Sequence, residues 1–178
     1  MHIFVLDKSP ELAAQYLDDK RVKHMPLECI ELLAIYLHSI TGEWKIQFPL
    51  WGTIERVSQP NFLYDHPCSK WIRFDKANMT WLYYYTVALL DEHEHRFNSC
   101  NAVQNVFISL RPYLSIFLVS REQQPVAFQN SSMFKQLPVV EAYRRTMCNK
   151  WVKIDKIKPP KFTNREIPDW VKEQTKFL

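Results

Sequence analysis

The first apolar run, Ile3-Phe4-Val5-Leu6, is too short for a helix and reads as a strand or an extended arm. Ser9-Pro10-Glu11 joins a side-chain cap, a proline in the first turn and an acid at the positive end of the dipole. A helix therefore starts there and carries Leu12, Ala13, Tyr16 and Leu17. The charged stretch Asp18 to His24 follows, and a new apolar period, Ile30, Leu33 and Leu37, begins after Pro26 and stops at Thr41-Gly42. Proline inside a helix removes a donor and clashes with the preceding turn. Residues 19–24 thus read as a turn between two helices. Residues 43–66 hold Pro49, Gly52 and Pro60 and show no period, which predicts a long loop with a short helical piece near Thr53–Val57. His66-Pro67 opens a short helix through Trp71. Asp75 caps the longest one, Lys76 to about Arg96, on stripes of Leu82, Tyr85, Leu89 and of Trp81, Tyr84, Ala88. Pro112 is expected to split the apolar run 102–120 in two. Residues 121–137 read as a loop, and Val139 to Val152 as a helix on Val140, Tyr143, Met147 and Trp151.

These elements describe a mainly α protein: one compact helical domain over residues 1–178, with about five to seven helices and a short N-terminal extended segment. Composition sharpens this. Two glycines, Gly42 and Gly52, in 178 residues exclude the Gly-rich loops of dinucleotide and P-loop sites. Any phosphate must then be held by Lys and Arg side chains or by helix N-termini. Net charge is +4 and the aromatic fraction 14%, a balance that permits a nucleic-acid or anionic partner. Cys29, Cys68, Cys100 and Cys148 are widely spaced, form no zinc pattern, and read as free thiols of a reducing cytoplasm. No apolar run is long enough to span a membrane. No metal or other cofactor is indicated, and the oligomeric state is not legible.

Four groups carry candidate chemistry. Lys20, Arg21, Lys23 and His24, with Glu28 just beyond, place cations, an imidazole and a carboxylate within nine residues. Glu28 shares a stripe with Leu32 and Ile35, which turns it toward the core side. A solvated inter-helix turn is the alternative. Glu92 and Arg96 continue the seam 82, 85, 89, so they line a cleft or form a plain i, i+4 salt bridge. The run Asp91 to His95 scatters around its helix and cannot converge on one metal ion. His66, Lys70, Trp71 and Arg73 set an indole among cations, suited to a base and its phosphates, or to core and surface separately. Arg144, Lys150-Trp151 and Asn164-Arg165-Glu166 interleave aromatic and basic residues in the same way.

Taken together, Met1-x-Ile3-Phe4-x-Leu6-Asp7, Ala13-Ala14-Gln15, Asp19-Lys20-x-Val22, Glu28, His66-Pro67 with Trp71, Trp81-Leu82 with Glu92 and Arg96, Tyr143-Arg144 and Asn164-Arg165-Glu166-Ile167-Pro168-x-Trp170 resemble a family of small bacteriophage proteins. The N-terminal Glu11-Leu12-Ala13-x-Gln15-x-Leu17, the charged stretch and Pro26 are further similar to the phage pyrimidine-dimer DNA glycosylases. That resemblance implies a small helical enzyme whose N-terminal α-amine attacks the sugar of a damaged nucleotide and forms an imine. A glutamate and arginines near the charged elbow assist. Two positions depart from the pattern. The glutamate two residues before the proline is His24 here, and residue 2 is His, which favours retention of Met1.

The implied function is a phage-encoded DNA-acting enzyme of the host cytoplasm, releasing a damaged or modified base. His24 is then the general acid/base, and Glu28 or Glu92 stabilises charge at the sugar. Lys20, Arg21, Lys23, His66, Lys70, Arg96, Arg144 and Arg165 bind substrate or phosphate, and Trp71, Trp81 or Trp151 receives an extruded base. The alternative is a non-catalytic accessory protein that binds a nucleotide, a nucleic acid or a host protein through the same cationic aromatic cleft. A plain DNA-binding module is a third possibility.

Overall fold

A computed structural model describes residues 3–42, 64–120, 134, 136–153 and 160–175. Among these lie seven helices: α1 Pro10–Gln15, α2 Asp19–Thr41, α3 Pro67–Phe74, α4 Lys76–Phe97, α5 Gln104–Ser115, α6 Val139–Lys153 and α7 Asp169–Thr175. The expected loop and helical piece within 43–63, and most of the loop expected over 121–137, lie outside the described residues.

The caps read from sequence are in place. Ser9 Oγ accepts from the Leu12 amide at 3.2 Å, and Asp75 Oδ1 from Ala77 at 2.6 Å. Gly42 ends α2 with φ +71°, the left-handed value that favours glycine there. His66 caps α3 through its ring: Nδ1 accepts from the Cys68 amide at 3.2 Å.

Two helix breaks expected at proline do not occur. Pro26 lies inside α2 and Pro112 inside α5. A mid-helix proline costs about 3 kcal/mol. Around Pro26, however, Val22, Met25, Cys29 and Ile30 are all buried on one continuous face. Each such side chain contributes roughly 1.5–3 kcal/mol on burial, so any two offset the proline. Val106, Phe107, Leu110 and Leu114 do the same across Pro112.

The centre of the fold is α4, buried along most of its circumference. Helices α1, α2 and α3 pack on it, α3 and α5 also pack on α2, and α6 pairs with α7. The extended arm, Ile3 to Leu6, is fully buried and forms no strand among the described residues. Side chains from elsewhere serve its carbonyls and those just beyond it. Arg144 Nε donates to Leu6 O at 2.9 Å, and Trp81 Nε1 to Lys8 O at 2.9 Å.

Candidate functional site

Because α2 runs through Pro26, Lys20, His24 and Glu28 occupy one helical face at i, i+4, i+8, and the supposed turn at 19–24 is its first two turns. Lys20, Lys23 and His24 are exposed, Arg21 and Glu28 half-buried. Lys23 Nζ sits 4.4 Å from the centre of the Phe97 ring. Arg21 turns back to Asp18, which caps α2 and also accepts from Trp151 Nε1 at 2.8 Å.

Glu28 lies within electrostatic reach of His66 and Cys68. The Ile3 amide hydrogen-bonds the Cys68 thiol, whose pKa burial pushes up to about 11. Phe4 meets the Tyr143 ring edge-on at 6.5 Å. His66 stands beside them, half-buried. Burial and then the positive charge of the chain's start lower its pKa, while Glu28 works in the opposite direction. With Nδ1 engaged as the helix cap, the neutral ring carries its proton on Nε2. Behind this group lie Cys29, in hydrogen-bond contact with Thr86, and the fully buried Tyr85. The hydroxyls of Tyr85, Tyr143 and Ser69 are buried without a hydrogen-bond partner among the described residues. Nothing in sequence distinguished Tyr85 from its neighbours on the α4 seam; the groups around it come from α2, α6 and α4 itself.

Glu92, Arg96 and Arg165 form a second group, centred on α4 and the 160–168 segment. Arg96 has a side chain of zero exposure and donates to Glu92 Oε1 at 2.7 Å, Asp19 Oδ1 at 3.0 Å and Gln15 O at 2.9 Å. Arg165 grips the other side of Glu92, with Nε–Oε1 at 3.0 Å and NH2–Oε2 at 2.7 Å. Asp19 completes the clasp by accepting from the Thr163 amide at 2.9 Å and its hydroxyl at 2.6 Å. Burial alone would raise the pKa of Glu92; the bonds and charges of Arg165 and Arg96 outweigh it and hold the carboxyl below its ordinary value. Asp19 is lowered in the same way, by Thr163 and Arg96 against its own burial. Sequence placed Glu92 and Arg96 together, but Asp19 enters from 77 positions before Arg96 and is met by Thr163 from 144 positions farther along the chain, and neither carried a signal.

The Arg144 guanidinium lies 5.4 Å from the ring centres of both Tyr16 and Trp170, which meet each other edge-on at 6.1 Å, and pairs with Asp7 at 3.1 Å. It lines an open cleft of about 530 Å³ together with Gln15, Arg165, Glu166 and Trp170. Lys70 pairs loosely with Asp65 at 3.5 Å on the surface. Trp71, Trp81 and Trp151 are core residues: each is no more than 5% exposed, and Trp71 packs edge-on against Trp81 at 6.4 Å. That burial corrects the expectation of a base-stacking indole at these positions, since no ring face is open. The candidates therefore separate into an N-terminal group around Glu28 and His66 and a clasp around Glu92, whose Arg165 lines one cleft with Arg144.

Among the described residues no His, Cys, Asp and Glu cluster could hold a metal ion, and no helix is long and apolar enough to cross a membrane. In comparisons with known proteins, the family model described as pyrimidine dimer DNA glycosylase matches residues 1–104. No curated protein and no solved structure shows significant similarity. The matched span holds the N-terminal group in full, apart from Tyr143.

Proposed function

The chain belongs to the pyrimidine dimer DNA glycosylase family, and from that premise we propose that it releases a damaged or modified pyrimidine from DNA. The observation that carries this reading is the burial of Ile3 against Cys68, with His66 and Glu28 alongside. The resemblance implies an α-amine nucleophile at the start of the chain. Met1 and His2 lie outside the described residues, but consecutive Cα atoms are 3.8 Å apart, so an amine at Met1 reaches no farther than about 7 Å from Ile3.

In the proposed step the amine forms a bond to C1′ of the sugar. The glycosidic C–N bond breaks, its electron pair goes to the base, and the base takes up the proton that the amine nitrogen sheds on bonding to C1′. Glu28 stabilises the positive charge that develops at the sugar. His66, kept neutral by its surroundings, donates a hydrogen bond from Nε2 to the leaving base. Lys20, Lys23 and His24, exposed on the outer side of α2, meet the DNA backbone. His24 takes this role in place of general acid/base, because its side chain is exposed whereas Glu28 and His66 are half-buried. Glu92, with both oxygens held by guanidiniums, holds the C-terminal segment in place rather than contacting substrate.

The test uses the full chain on duplexes containing cyclobutane pyrimidine dimers, uracil or hydroxymethylated bases, with borohydride trapping and peptide mapping of any adduct. Base release with a trapped N-terminal peptide is the expected result. No release and no adduct across the panel, with salt-sensitive DNA binding intact, refutes the enzyme and leaves a DNA-binding protein.

A further inference from the structure

The arm from Ile3 to Leu6 is buried without a strand partner among the described residues. Burial of apolar side chains has no direction: it fixes the side on which the arm lies, not how far the arm slides along its own axis. Hydrogen bonds set that register. Arg144 of α6 closes a fork on two consecutive residues, with Nε donating to Leu6 O at 2.9 Å and Nη2 to Asp7 Oδ2 at 3.1 Å. Asp7 Oδ1 accepts in turn from the Ser9 amide at 3.0 Å, and the Ser9 hydroxyl caps α1. One carboxylate thus ties the arm to the first turn of α1. Trp81 adds a third bond just beyond, to Lys8 O. The guanidinium is itself confined: its side chain is 25% exposed and stands against the rings of Tyr16 and Trp170. Two of its three nitrogens are engaged by the chain's own acceptors, and Asp7 offsets its charge. Arg144 also lies beyond residues 1–104, the span that the family model matches.

We propose that Arg144 is a positioning residue for the amine at the start of the chain: its fork locks the register of the arm against α1 and so sets where the first residues project. It does this in place of the phosphate contact read from sequence. The consequence for catalysis rests on the glycosylase reading; the anchoring of the arm does not. A nucleophile must be held close to its target and aligned with it, and a misplacement of about 1 Å costs up to about a hundredfold in rate. Lysine cannot reproduce the fork, because an ammonium lacks the planar set of donors that reaches two acceptors at once.

The experiment compares the full-length protein with Arg144→Met and Arg144→Lys. Arg145→Met serves as the control, since Arg145 is exposed and pairs with Glu141 one turn away at 2.7 Å. Hydrogen exchange of the Ile3 to Leu6 amides is followed by NMR against that of the α4 amides, which report global opening. Single-turnover base release at saturating DNA and DNA affinity over a range of salt are measured in parallel. In Arg144→Met the arm amides should exchange about tenfold faster relative to those of α4. Base release should slow by about ten- to hundredfold, with affinity and salt slope as in wild type. Arg144→Lys should remain slow although it keeps the charge, and Arg145→Met should match wild type. Arm amides that accelerate no more than those of α4 overturn the inference, whether or not the protein releases a base. A wild-type rate at saturating DNA, with the log–log salt slope lowered by about 0.9, also overturns it and makes Arg144 a phosphate contact. Faster arm exchange in a protein that releases no base from any substrate keeps the anchor and refutes the glycosylase reading. If Arg144→Met is poorly folded, Arg144→Lys decides by the same exchange comparison: a loosened arm supports the anchor and an unchanged one overturns it.

Discussion

Replacing Glu92 with alanine removes a carboxylate that is 3% exposed and neutralises two guanidiniums. Arg96 keeps Asp19 and the Gln15 carbonyl but loses its shortest bond, at 2.7 Å, and its side chain has no access to water to compensate. Breaking one partner of a buried pair costs about 3–5 kcal/mol, because the remaining charge stays desolvated. Arg165 is 30% exposed, so screening limits its share to no more than about 1 kcal/mol. For a chain of this size 1 kcal/mol corresponds to roughly 2–4 °C, so the melting temperature should fall by about 6–20 °C. With a urea m-value of about 2 kcal/mol/M, the midpoint should drop by about 2 M. A second variant isolates the cause. Glu92→Ala combined with Arg96→Met removes the stranded charge as well, so it should be more stable than the sum of the two single changes. A loss below about 1 kcal/mol for Glu92→Ala, or strict additivity in the double variant, refutes the clasp as the source. A Glu92→Gln protein of full stability that no longer releases base would move this residue into the chemistry.

The same clasp makes stability depend on pH. Glu92 and Asp19 have folded-state pKa values below their ordinary 4.5 and 3.8, so their contribution is present above those values and lost as pH falls through the folded ones. Unfolding free energy should decline steadily below about pH 4.5, and Glu92→Gln should flatten that decline; an unchanged slope contradicts the assignment. Lys23→Ala should weaken DNA binding alike on all sequences and lower the log–log salt slope by about 0.9, with no change in melting temperature beyond that of an exposed site. A slope equal to wild type removes Lys23 from the DNA face. Pro112→Ala, at an exposed position inside α5, restores an amide donor toward the Ile108 carbonyl and should stabilise by about 1–2 kcal/mol, read as a rise in urea midpoint.

Much of the secondary structure was legible because its signals are local. Ser9, Asp75 and Gly42 each act on a helix end within three residues, and the apolar period of α4 needs no partner to be read. The two failures, at Pro26 and Pro112, share a cause. Proline's penalty is local and visible, whereas the burial that offsets it comes from residues of other helices. The site divides along the same line. Glu28 was turned toward the core by its own stripe, and Arg96 was paired to Glu92 by i, i+4 spacing. Trp71 could be read as binding surface or core, since one turn of helix does not say which side faces its neighbours; Trp81 decided it.

By itself, then, the chain determined its helices, their caps, the lack of glycine-built phosphate loops, and the residue types able to act on DNA. Tertiary structure decided which of them meet. Asp19 and Thr163 lie 144 positions apart and close one clasp, while Tyr85 and Tyr143, read in the linear pattern only as stripe positions, are buried in the core. The physical reason is that desolvation and charge act over ångströms in space. A carboxylate's role depends on what is buried around it, and that neighbourhood exists only after α2, α3, α4 and α6 have packed around the first residues of the chain.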